Sequence, residues 1–161
     1  MHYLSYNERL YKGYVNGKAA HGEGVATIAL GEGAHAEGRY TYAEGYSVHA
    51  EGYLTTAKAN HAHVEGRETE ASGAAAHAGG RGTKATAEAQ TAIGKYNRVN
   101  NDALFIVGNG TGSADNQRLN AFEVLKNGNA NIAGTLNVTA LTIGGVNILP
   151  ITNVEFPGGD A

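Results

Sequence analysis

The chain has 161 residues, of which 24 are glycine and 27 alanine, so about a third carries no side chain longer than a methyl group. Three Phe, one Met and no Trp exclude a large conventional core, and zero cysteine excludes a disulfide framework and thiolate chemistry. A net charge of -3 provides no basic footprint for nucleic acid or an anionic membrane surface, and no apolar run approaches 18 residues, so neither nucleic-acid binding nor membrane insertion is expected.

Residues 1–20 alternate aromatic and polar positions (His2, Tyr3, Leu4, Tyr6, Tyr11, Tyr14) and include Asn16-Gly17, a hairpin-turn signal; they read as an N-terminal cap or adaptor. They contain no apolar stretch of the secretory type, which points to folding where the chain is made.

Residues 21–96 are a repeat. Every seventh residue from Ala29 is small: Ala29, Ala36, Ala43, Ala50, Ala57, Val64, Ala71, Ala78, Ala85 and Ala92. Two positions after each stands glycine, with Ala59 and Ala87 as the exceptions. A second period of fourteen is superposed. His-x-Glu-Gly recurs from His21, His35, His49 and His63, and at His77 with the acid replaced.

A coiled coil requires large apolar residues where this chain has Ala and Gly. Each glycine in a helix interior would also cost about 1 kcal/mol relative to Ala. Collagen requires abundant proline, and there are two. The pattern therefore predicts an all-β fold, a parallel β-roll of 14-residue coils. Each coil is expected to contain two strands of about five residues joined by glycine-containing turns, and each strand to pair with its equivalent one coil away, about 4.8 Å distant. Alternation places the Ala column inside and its neighbours outside. Such a thin interior buries little apolar surface per residue, so completion by other copies of the chain is expected. One outer face would pack about a symmetry axis and the other meet solvent.

TAIG (91–94), TIALG (27–31) and the double repeat resemble the head domain of YadA-like trimeric adhesins. AHAEG (34–38) and VHAEG (48–52) are similar to the SHAEG-type variant of bacteriophage and prophage tail-fibre proteins. The resemblance covers residues 21–96 and implies a left-handed roll assembled as a homotrimer. It departs from the adhesin head in placing His and Glu where aliphatics flank the alanine.

Residues 97–149 read as a β-rich, shaft-like domain: ALFIVGNG (103–110), then NAFEVLKNGNANIAGTLNVTALTIGG (120–145), with Asn127-Gly128 marking a tight turn and residues 136–142 alternating as a strand. This texture resembles a phage tail-fibre shaft. Residues 150–161 read as a C-terminal tail.

Three features bear on function. His21, His35, His49, His63 and His77 should stack as a ladder beside Glu23, Glu37, Glu51 and Glu65; a structural network, ion binding and a pH switch are all open readings. His61 and His63, at i and i+2 of one strand face, would present six imidazoles to a transition-metal ion on a trimer axis, although His61 could instead fall in the turn. Arg39, Tyr53, Arg67, Arg81 and Lys95 form a stripe suited to surface contact, or a solvated corner pairing with Glu.

Enzymatic signals are poor. GNGTG (108–112) lacks the Lys-Ser/Thr of a phosphate loop, and the His-Glu pairs recur too regularly for a catalytic site. The expected function is therefore a non-enzymatic, cofactor-independent trimeric fibre of a bacteriophage-like particle. Its partners would be itself, other virion proteins and a host-surface glycan or protein, and its location the virion after assembly in the host cytoplasm. The head of a bacterial trimeric autotransporter adhesin, at the cell surface, is the alternative; a metal-dependent or glycan-cleaving enzyme is the alternative of another class.

Overall fold

The structure is a computed structural model that describes residues 13–138, 141–144 and 146–148. The aromatic positions His2 to Tyr11 and the segment 150–161 lie outside the described residues.

Short and long strands alternate along the chain: β1 (Tyr14–Val15), β2 (His21–Val25), β3 (Ile28–Ala29), β4 (His35–Arg39), β5 (Tyr42–Ala43), β6 (His49–Tyr53), β7 (Thr56–Ala57), β8 (His63–Arg67), β9 (Glu70–Ala71), β10 (His77–Arg81), β11 (Lys84–Ala85) and β12 (Thr91–Lys95). The short strands form one parallel sheet in the order β1-β3-β5-β7-β9-β11, and the long strands another. Each strand pairs with its equivalent fourteen residues on, as in Ala36↔Ala50 and Ala43↔Ala57. The protein is thus the expected all-β parallel roll, but each coil contains one five-residue and one two-residue strand. Asn16-Gly17 turns a corner between the two sheets rather than closing a hairpin, since β1 pairs with β3 and not with β2.

The Ala column is fully buried from Ala29 to Ala92, with Val64 in the same row. A second inward column lies two residues earlier and alternates Ala34, Val48, Ala62 and Ala76 with Thr27, Thr41, Thr55, Thr69 and Thr83. Two of these threonines return their hydroxyl to the main chain, whereas the hydroxyls of Thr41 and Thr55 are buried without a partner among the described residues. Thr69 Oγ1 donates to Glu65 O at 3.1 Å and Thr83 Oγ1 to Gly79 O at 3.2 Å.

The corners depart from expectation. Every seventh residue from Ala19 to Tyr96 takes positive φ, yet only Gly33 and Gly82 among the twelve are glycine; Tyr40, Ser47, Leu54, His61 and Glu68 lie between 49° and 61°. A left-handed non-glycine residue costs about 1–2 kcal/mol. From Gly33 onward the coil offsets this by giving each corner amide a partner fifteen residues earlier: Tyr40 N–H donates to Val25 O (2.9 Å), Leu54 to Arg39 O (3.0 Å) and Glu68 to Tyr53 O (2.8 Å). Glycine is required elsewhere. Gly38 and Gly52 have φ of 110° and 106°, and a Cβ on either would strike the carbonyl of the glycine stacked above it.

Beyond β12 the long-strand sheet continues without a break through β13 (Ala103–Asn109), which pairs in parallel with β12. A short 3₁₀ turn (Asp115–Gln117) follows, then β14 (Asn120–Leu125) and β15 (Ala130–Ile132), both antiparallel. The expected turn at Asn127-Gly128 connects these last two, with Gly128 N–H donating to Leu125 O at 2.9 Å. Among the described residues, β16 (Leu141–Ile143) and β17 (Val146–Ile148) pair only with each other. Of the alternating stretch 136–142 expected as a strand, residues 136–138 form none, whereas Leu141 and Thr142 belong to β16.

Candidate functional site

The roll has two regular outer surfaces and one irregular end, and the candidate residues divide among them. On the long-strand face the histidines stack as the repeat requires. Ring centroids are 4.6 Å apart for His35–His49 and 4.9 Å for His49–His63 and His63–His77, with interplanar angles of 11–17°; His21–His35 is tilted. Glu23, Glu37 and Glu51 stand in register beside them, and Glu65 pairs with Gly79 where the acid is lost.

The Nε2 atoms of His35, His49, His63 and His77 are shielded from solvent and make no hydrogen bond. The nearest carboxylates stop at 3.6 Å, Glu51 Oε2 from His49 and Glu65 Oε1 from His77. Burial pulls the His63 imidazole below its ordinary value, and the neighbouring His77 and His49 add to this against the opposing pull of Glu65 and Glu51. Neighbouring rings of the ladder lie less than 5 Å apart, close enough for their electrostatics to couple.

Donor atoms of His35, Glu37 and His49 lie within 4.8 Å of one another. A shared ion at about 2.1 Å from each nitrogen would need imidazole planes that intersect at it. The planes of His35 and His49 are instead nearly parallel at 17°, so both rings would have to turn to bind an ion together.

His61 and His63 do not share a strand face. His63 opens β8, whereas His61 occupies a left-handed corner at φ 61° and packs edge-on against Tyr46, centroids 5.7 Å apart. This corrects the i, i+2 strand geometry; the turn, the other placement open from sequence, is the one found.

The basic and aromatic stripe is continuous. Arg39, Tyr53, Arg67, Arg81 and Lys95 are successive cross-strand partners. Tyr53 lies between two guanidinium groups, with Arg67 at 5.6 Å and Arg39 at 6.0 Å from its ring centre, and Arg39 also covers Tyr40 at 4.9 Å. Only Arg67 in this stripe meets an acid, Glu68 at 3.0 Å, among the described residues. The stripe is therefore a stacked cationic and aromatic surface more than a row of ion pairs.

The end of the roll was not anticipated from sequence. Gln90 and Asn97, fully buried, occupy the second inward column in phase with Ala76 and Thr83. Gln90 Nε2 donates to Asn100 O (2.8 Å) and Ala103 O (2.7 Å), while its Oε1 accepts from Thr86 N–H (2.9 Å). Arg118, also buried, donates from Nη1 to Gly82 O (2.9 Å) and Asn97 O (3.1 Å) and from Nε to Ser113 O (3.1 Å). The switch of this column from Ala and Thr to Gln and Asn is the sequence signal that could have revealed the plug; Arg118 belongs to no repeat.

Comparison with known proteins finds no matching family model, no matching curated protein and no matching solved structure.

Proposed function

We propose that the chain is a structural segment of a homotrimeric fibre, of the tail-fibre or head-fibre kind made by bacteriophages, whose roll is a rigid rod presenting surface to a host cell. The observation that carries this reading is the apolar surface beyond the roll. Leu136, Val138, Leu141, Ile143 and Val146 are 40–62% exposed in the single chain. A run of this kind requires a partner, and copies of the same chain wound about a common axis would supply one.

The phase of the His-x-Glu-Gly repeat supports the fibre reading, since it is similar to that of phage tail fibres and YadA-like heads and is here built as a parallel roll. The proposal assigns the stripe from Arg39 to Lys95 to contact with host-surface glycan or protein and the β-rich segment after residue 97 to the shaft. It needs no cofactor and no catalytic residue, and places the protein in the virion.

Native mass spectrometry of the full chain tests the reading. A species of about three times 16.6 kDa is expected. A monomer at micromolar concentration would overturn it.

A further inference from the structure

The irregular end of the roll contains a cleft of about 370 Å³ lined by Lys84, Arg98, Val99, Asp115 and Arg118. Three cations thus face one carboxylate. None of Arg98, Asp115 and Arg118 has an ion-pair partner within 4.0 Å among the described residues, and Lys84 reaches only Glu70, at 3.9 Å. Glu123, which Arg98 influences, is already taken up by hydrogen bonds from Asn100, Asn120 and Asn131.

Arg118 gives the cleft its rigidity. Its Nη1 and Nε are committed to three main-chain carbonyls, and its guanidinium lies 6.0 Å from the Tyr96 ring centre. Nη2 donates to none of the described residues, and Arg118 lines the cleft. A guanidinium held in this way offers one free edge nitrogen at no further cost in side-chain entropy.

We propose that this cleft binds a phosphate group, as carried by a phosphorylated sugar. With Nε and Nη1 engaged, Arg118 offers a single donor, and a tetrahedral oxyanion has acceptors in enough directions to take one from Arg118 Nη2, others from the Lys84 ammonium and others from the Arg98 guanidinium together. Val99, 41% exposed, offers an apolar rim for a sugar ring, and Asp115 an acceptor for its hydroxyls. The assignment rests on the geometry of one chain and does not depend on the fibre reading.

The test is titration of the full ¹⁵N-labelled chain with inorganic phosphate, glucose 6-phosphate and glucuronate at constant ionic strength, following the amide resonances of Arg98, Asp115 and Arg118. Saturable shifts confined to this end are expected with both phosphates, and they should weaken about tenfold in each of Lys84→Ala and Arg98→Ala. These two side chains lie outside the buried plug, so the variants should fold. Absence of saturation, unchanged binding in both the Lys84→Ala and Arg98→Ala variants, or tighter binding of glucuronate would each overturn the proposal.

Discussion

Asn97 takes the place of a missing coil for Lys84. Its Oδ1 accepts the Lys84 backbone N–H at 2.7 Å and its Nδ2 donates to Lys84 O at 3.0 Å. In the preceding coils these groups pair with main chain, as when Glu70 N–H donates to Thr83 O at 2.9 Å. The last short strand therefore ends on a side-chain amide rather than on an open edge. Asn97→Ala should destabilise the protein by about 2–4 kcal/mol, because two backbone groups lose their partner inside the cap. Urea unfolding measures it, and an unchanged midpoint would remove the plug from the list of stabilising devices.

The inward column discriminates by size. Ala50 is fully buried, and the next row in its column already holds Val64. Ala50→Val should cost less than about 1.5 kcal/mol, whereas Ala50→Leu should cost about 3 kcal/mol as the branch is driven into the facing sheet. Thermal melts of the two variants should separate clearly.

Gly52→Ala should be more damaging than its small volume suggests. The residue sits at φ 106°, and the new methyl would meet Gly66 O. A loss of about 3 kcal/mol or failure to fold is expected, read by circular dichroism.

Acid should weaken the roll in two separate windows. His63 is held below its ordinary value of 6.5 by burial and by His77 and His49, so below pH 6.5 the unfolded chain binds the proton more readily. Stability should fall from about pH 6.5 down to the lowered folded value and then level off. Glu123 behaves differently. Burial raises its carboxyl, but hydrogen bonds from Asn100, Asn120 and Asn131 outweigh this and hold it below 4.5, so its contribution is present above that value and lost only on stronger acidification. His63→Gln should flatten the first window and leave the second; denaturant midpoints from pH 8 to 3 would show whether the windows separate.

Tyr53 is the centre of the cationic stripe, with Arg39 and Arg67 on either side. Tyr53→Ala should lower stability by only about 1–2 kcal/mol, since these contacts are solvent-exposed. If the stripe meets a host surface, adhesion of labelled protein to host cells should drop by far more than the melting temperature would suggest. Parallel loss of both would mark the stripe as structural.

Much of this architecture was legible in the chain. The seven-residue Ala column and the fourteen-residue His column are one-dimensional patterns, and a parallel roll turns a one-dimensional repeat directly into stacked rows; hence the inward alanines, the His ladder and the Arg39 to Lys95 stripe follow from spacing alone. Conformation at the corners does not. Tyr40, Ser47, Leu54 and His61 carry no sign of left-handed backbone, because that geometry is imposed by amide partners fifteen residues away, and so the placement of His61 in a turn was left open until the coil was closed. The cap was hidden for the same reason: Gln90, Asn97 and Arg118 act through contacts with Ala103, Lys84 and Gly82 that only the folded chain brings together. Repetition determines the roll because each coil repeats the environment of the one before; its end is decided by tertiary contacts, because there the next coil is absent and unlike side chains must satisfy the groups it would have paired.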